Sequence, residues 1–130
     1  MDEFPEQGTH IAAEAMEELE QSIGADGAAE VIEAYIEWAV AIAGRAIPDA
    51  EALGRAAHAL RSSARMLGLR SLADFCEEID AALKRGDAVD VAAGVVHIRA
   101  LVAEALPFLR SNLARLQPAV PSGGAATAEQ

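Results

Sequence analysis

The chain has one cysteine, Cys76, so no disulfide can close within it, and a reducing compartment is expected. Aromatic residues make up only 4% of the sequence, so leucine, isoleucine, valine and alanine must fill its core. Strand formers are sparse and alanine is abundant, which excludes a sheet-based fold. Basic residues number 10 against 21 acidic ones, a formal charge of -11. Binding to nucleic acid is not expected, because a phosphate backbone calls for a broad cationic surface. No apolar run is long enough to span a bilayer: the stretch from Trp38 to Gly44 is among the longest and falls far short. Asp2, Glu3 and Glu6 do not form a secretory leader. These absences leave a cytoplasmic protein without membrane contact as the expectation.

What is present is an all-α pattern in 130 residues, 52% of them hydrophobic, enough for one core. Residues 1–8, with Pro5 and Gly8, are expected to be a flexible lead-in and Pro118 to Gln130 a disordered tail, leaving 9–117 as the folded unit. A short helix is expected from Ala12 to Ile23, stopping at Gly24, and a second from about Gly27 to Ala46. Pro48 and Asp49 mark the start of a third helix, which ends near Leu67 and Gly68. Ser71 is the expected N-cap of a fourth, ending at Gly86. The last begins near Asp87 and holds Val91, Val95, Ile98, Val102, Ala105, Leu109, Leu113 and Leu116 on one stripe, with a bend expected at Pro107. Short connections between amphipathic helices predict an up-and-down four-helix bundle with a short additional N-terminal helix as a cover. Trp38 flanks the stripe of the second helix and is expected to seal the core edge, and Cys76 to be a small buried hydrophobe.

Between Glu51 and Asp74 the sequence has no acid, and it carries Arg55, Arg61, Arg65 and Arg70 around His58. In a chain this acidic the window reads as a local positive island. The core stripe of its helix is Leu53, Ala56, Ala57, Leu60, Ala64 and Leu67, and His58 falls opposite its centre. Gly54 and Ser62, one turn to either side, are small, so the imidazole is expected to stand over a flat patch that a partner can approach. Gly54 costs about 1 kcal/mol of helix propensity relative to alanine, and close approach of a partner would account for it. Arg61 and Arg65 share the outward face. A histidine among arginines on an exposed helical face is suited to handling a phosphoryl group.

These residues resemble the histidine-containing phosphotransfer (HPt) domains of bacterial multistep phosphorelays. The matching residues are Ala57, His58, Leu60, Arg61, Ser63, Leu67 and Gly68, followed by Leu72, Cys76, Ile79 and Asp80. Arg61 stands where lysine is usual, Ser62 where glycine is usual, and Asp80 where glutamate is usual. The resemblance implies a phosphohistidine at His58, formed from and passed to receiver-domain aspartates. It implies Arg61, then Arg65, as the cations that stabilise transition-state charge. Gly54, Arg55, Ala59, Ser62 and Met66 would form the docking face, with Arg55 steering an acidic receiver pocket. The implied partners are response-regulator receiver domains, a hybrid histidine kinase, or both. No intrinsic cofactor is expected, and Mg belongs to the partner receiver. One bundle can bury all the stripes, so a monomer is expected.

Three other readings compete. The segment from His58 to Ser63 also resembles the H-box of histidine kinase dimerisation domains, but Ala59 stands in place of the acid and Ser63 in place of the proline. No ATP-binding segment accompanies it, so autokinase activity is not expected. A non-catalytic helical adaptor that binds a receiver or kinase is the second. A metal site is the third: His10, His58 and His97 lie far apart and lack i+4 partners, and His97 is expected to be solvated. The acidic clusters Glu17-Glu18-Glu20 and Glu77-Glu78 read as solvated faces.

Overall fold

A computed structural model describes residues 11–117. The expectations for residues 1–8 and 118–130, and for His10, lie outside the described residues. Those residues form four helices and no strand: α1 (Glu14–Gly44), α2 (Ala50–Met66), α3 (Arg70–Lys84) and α4 (Val91–Leu116). Connections of a few residues turn each helix back along its predecessor, as in an up-and-down bundle. α2 packs most extensively on α3, and α1 on α4.

The separate N-terminal helix is not seen. Its residues are helical, but they run into the first wall through a kink at Gly24, whose φ of 82° and ψ of 167° are non-helical. A glycine can redirect the chain within one residue, so no loop is needed there. The segment before the kink covers one end of the bundle. Ala12 N–H donates to the Gly68 carbonyl at 2.7 Å, an isolated antiparallel bridge joins Ile11 to Leu69, and Arg115 of α4 holds Glu20 at 2.7 Å. Glu20 is therefore an ion-pair partner rather than part of a solvated face.

Two other boundaries differ from expectation. α3 begins at Arg70, one residue ahead of Ser71, and its N-cap Leu69 makes no side-chain cap bond. α4 begins at Val91 because Asp90, not Asp87, caps it: Asp90 Oδ1 accepts from Ala93 N–H at 3.0 Å. Asp87 is held by Arg85 at 2.9 Å. α2 is capped as expected, Asp49 Oδ1 accepting from Ala52 N–H at 2.8 Å. α4 continues through Pro107. From α4, Arg99 donates to the carbonyls of Ala43 and Arg45 and so satisfies the C-terminal end of α1.

The core is aliphatic, with Ile32, Leu53, Leu60, Leu67, Leu69, Leu72, Ile98 and Leu109 the largest fully buried side chains. Alanines such as Ala28, Ala57, Ala64 and Ala73 let the helices approach closely. α4 is long and apolar enough to cross a membrane by length and composition, yet eight of its residues are buried in this core. Cys76 lies in the core, where burial pushes its thiol up to about 12 against the opposing pull of Arg61. The thiolate is the reactive form. Cys76 is therefore expected to resist a thiol reagent at pH 8 in the folded chain and to label at the rate of unfolding; fast labelling without denaturant would contradict this.

Candidate functional site

The buried set of α2 is Leu53, Ala57, Leu60 and Ala64, spaced three and four residues apart. That spacing turns His58 outward, and its side chain is 64% exposed. Arg61, three residues on, lies lower on the helix and is 31% exposed. α3 runs beside α2 and brings Asp80 to both. Asp80 Oδ1 lies 3.9 Å from His58 Nδ1, and its Oδ2 lies 3.7 Å from Arg61 Nη1 and 3.0 Å from Lys84 Nζ. One carboxylate, 15% exposed, thus faces an imidazole and two cations. The hydrogen bond from Lys84, then the charges of Lys84, Arg61 and His58, hold its carboxyl below the usual range against the opposing effect of desolvation.

The positive island is answered in space by acids from α1, from α3 and from the first turn of α2 itself. Arg65 holds Asp74 at 3.0 Å and Glu77 at 3.3 Å, Arg55 pairs with Glu51 at 3.4 Å, and Arg70 lies 3.9 Å from Glu14. Asp74, Glu77 and Asp80 recur three residues apart, so α3 presents them as a row along α2. Glu77 is 59% exposed, as expected of a solvated face, and also pairs with Arg65. Arg65, nominated beside Arg61, is tied to this row and does not meet His58 through Asp80 as Arg61 does.

A groove of about 600 Å³ opens beside the imidazole, lined by Gly54, Arg55, His58, Asp80, Leu83 and Lys84. Gly54 also lies close to α3: a Cβ there would fall 2.7 Å from Leu83 Cδ1. Close packing on Leu83 is thus a second reason for a glycine here, beside approach of a partner. The contact is with the free end of a flexible side chain. Gly54→Ala is therefore expected to leave stability within about 1 kcal/mol of the parent, as gained helix propensity offsets the displacement of Leu83. A thermal melt checks this; a loss of several kcal/mol would mean that Leu83 cannot move.

The other nominated docking residues, Arg55, Ala59, Ser62 and Met66, are exposed on this side of α2. Trp38 does more than seal an edge. It is 38% exposed, its ring leans on Tyr35 at 5.8 Å, and it lines an apolar groove of about 420 Å³ with Tyr35, Ser63 and Met66. Burial raises the Tyr35 hydroxyl well above its ordinary value, and it donates to the Leu60 carbonyl at 3.5 Å. His97 is exposed but not simply solvated, since its ring packs on Phe75 with centroids 4.1 Å apart.

Asp80 and Lys84 were missed as site residues. The available signal was their i,i+4 spacing beyond Cys76 on the helix next to the histidine. Among the described residues no cluster of histidine, cysteine and carboxylate side chains is arranged to hold a metal ion.

The bundle, the exposed histidine and the motif around it define a class of phosphotransfer module. The family model described as "Hpt domain" matches residues 9–117, and the chain belongs to that family. Membership places it in phosphotransfer within two-component phosphorelay signalling, a family whose domains interact with receiver domains and histidine kinases. Neither the curated proteins nor the solved structures contain a match to the chain.

Proposed function

We propose that this chain carries a phosphoryl group on His58 between the aspartates of receiver domains. The observation that carries the reading is the exposed imidazole with one nitrogen, Nδ1, turned toward the Asp80 carboxylate. Nδ1 is the ring nitrogen that faces Asp80, and the family mechanism assigns the attack to the other, Nε2. In the forward step Nε2 attacks the phosphorus of a receiver aspartyl phosphate. The P–N bond forms as the P–O bond breaks, and the receiver carboxylate leaves with the electron pair. The reverse sequence delivers the group to a second receiver. Charge spreads over the equatorial phosphoryl oxygens in the transition state, and Arg61, three residues beyond His58 on α2, reaches the same Asp80 carboxylate that faces the imidazole.

The receiver supplies the magnesium ion and the acidic pocket that holds it, and this chain supplies the nucleophile, cations and docking face. Gly54 and Arg55 line the groove beside His58, Ala59 and Ser62 are near it in sequence on α2, and Met66 lines the apolar groove that Trp38 extends from α1. A hybrid histidine kinase carrying a receiver fits the same chemistry. We assign the chain as a cytoplasmic monomer and a phosphocarrier, without autokinase activity.

The test is to mix the chain with a panel of phosphorylated receiver domains and follow loss of phosphate from each receiver. The reading expects at least one receiver to be discharged within minutes, with matching phosphate on this chain. Binding without discharge would replace it with a non-catalytic adaptor.

A further inference from the structure

The sequence nominates Arg65 as the second cation for the phosphoryl group, but the structure commits Arg65 to Asp74 and Glu77. The cation that borders the histidine's groove from the other helix is Lys84. Lys84 is 72% exposed and its ammonium pairs with Asp80 at 3.0 Å. Asp80 faces His58 with its other oxygen, so Lys84 and the imidazole are neighbours through one carboxylate. The charged groups lining the groove are Glu51, Arg55, His58, Asp80 and Lys84, with Arg61 reaching the same carboxylate.

We propose that Lys84 completes the phosphoryl site of His58 from α3, leaving Asp80 for the phosphoryl oxygens once the histidine is phosphorylated. The argument is one of charge and reach. Phosphorylation adds about two negative charges at the outer edge of the ring. A doubly charged acceptor outcompetes the single charge of Asp80 for a mobile ammonium. Lysine's long stem and three rotatable donors suit such an exchange. Arg61 can stay on Asp80 or share both anions, so the carboxylate is not left bare. In the resting chain the same carboxylate parks Lys84 beside the site. This inference rests on His58 being the phosphoacceptor.

The experiment uses phosphoramidate, which phosphorylates histidine as its own P–N bond breaks and ammonia leaves. No docking partner is then involved. Phosphohistidine at His58 is identified by its absence in His58→Gln, and its 31P resonance is titrated with pH. Lys84 close to the phosphoryl group lowers that group's second ionisation. Lys84→Gln is expected to raise the midpoint by about half a unit or more. Lys84→Arg should restore it, while Arg65→Gln should leave it unchanged. A structural role for an exposed lysine would not move this midpoint. An unchanged midpoint in Lys84→Gln, or an equal shift in Arg65→Gln, would overturn the proposal. If phosphohistidine forms but no receiver discharges onto the chain, the relay reading fails while the Lys84 result stands by itself. If His58 takes no phosphate even from phosphoramidate, both fail.

Discussion

Replacing Gly68 by alanine is expected to destabilise the chain by about 2–5 kcal/mol, the largest effect of any single methyl group added here. Gly68 follows α2 at a φ of 81°, where a residue with a Cβ is strained by about 1–2 kcal/mol. Its surroundings add a second cost. The new Cβ would fall against the carbonyl oxygen of Ala12 and lie 2.9 Å from the Ala15 Cβ. Neither is the free end of a flexible side chain, so the N-terminal cover must move away from the α2–α3 turn. That movement threatens the bond from Ala12 N–H to the Gly68 carbonyl. Domains of this size are stable by about 5–15 kcal/mol, so the loss is a large fraction of the whole. Gly86 is the internal control: its φ is 79°, but a Cβ there meets nothing within 4 Å. Gly86→Ala should therefore lose only the conformational part. Denaturant melts of the two variants measure the difference, and equal losses would mean that the cover is not packed on the turn as described.

Arg61→Ala is expected to slow phosphotransfer from a receiver by about tenfold to a hundredfold, with the fold retained. Removing a group aimed at developing charge costs about a hundredfold or more in enclosed sites. The Arg61 side chain is 31% exposed, which places the effect toward the lower end of that scale. Arg61→Lys should recover much of the rate as a point charge but not the two-pronged geometry of a guanidinium. Rapid-quench transfer kinetics measure the rates, and circular dichroism confirms that the helices remain. A wild-type rate in Arg61→Ala would move the stabilising role to Lys84, the other cation on Asp80.

The walls of the bundle were legible in the sequence because their apolar residues recur every three or four positions and their ends carry Asp49, Gly68 and Gly86. Less legible was what each punctuating residue does. Gly24 reads as a stop, yet the helix resumes at once, because one glycine at positive φ both ends a helical direction and starts another. Asp87 and Asp90 are equally good caps by type. Asp90 caps α4 through Ala93 N–H, while Asp87 still belongs to the end of α3, its N–H donating to the Ala82 carbonyl at 2.9 Å.

The candidate site divides in the same way. The outward position of His58 follows from one helix and its stripe, and one helical wheel is enough to find it. Asp80, Lys84 and the pairing of Arg65 depend on how α3 lies beside α2. A wheel drawn for a single helix carries no information about its neighbour. The acid-free window from Ala52 to Ala73 is real in the sequence, but α3 returns Asp74, Glu77 and Asp80 along its flank. Linear charge patterning therefore overstated the free positive charge around the histidine.

The most direct test is intact mass under neutral conditions for the wild-type chain and His58→Gln after incubation with a phosphorylated receiver domain that discharges onto it. Wild type should gain the mass of one phosphate, and His58→Gln, with its fold intact, should gain none. Equal gain in His58→Gln would place the phosphoryl group on another residue and contradict the role assigned to His58.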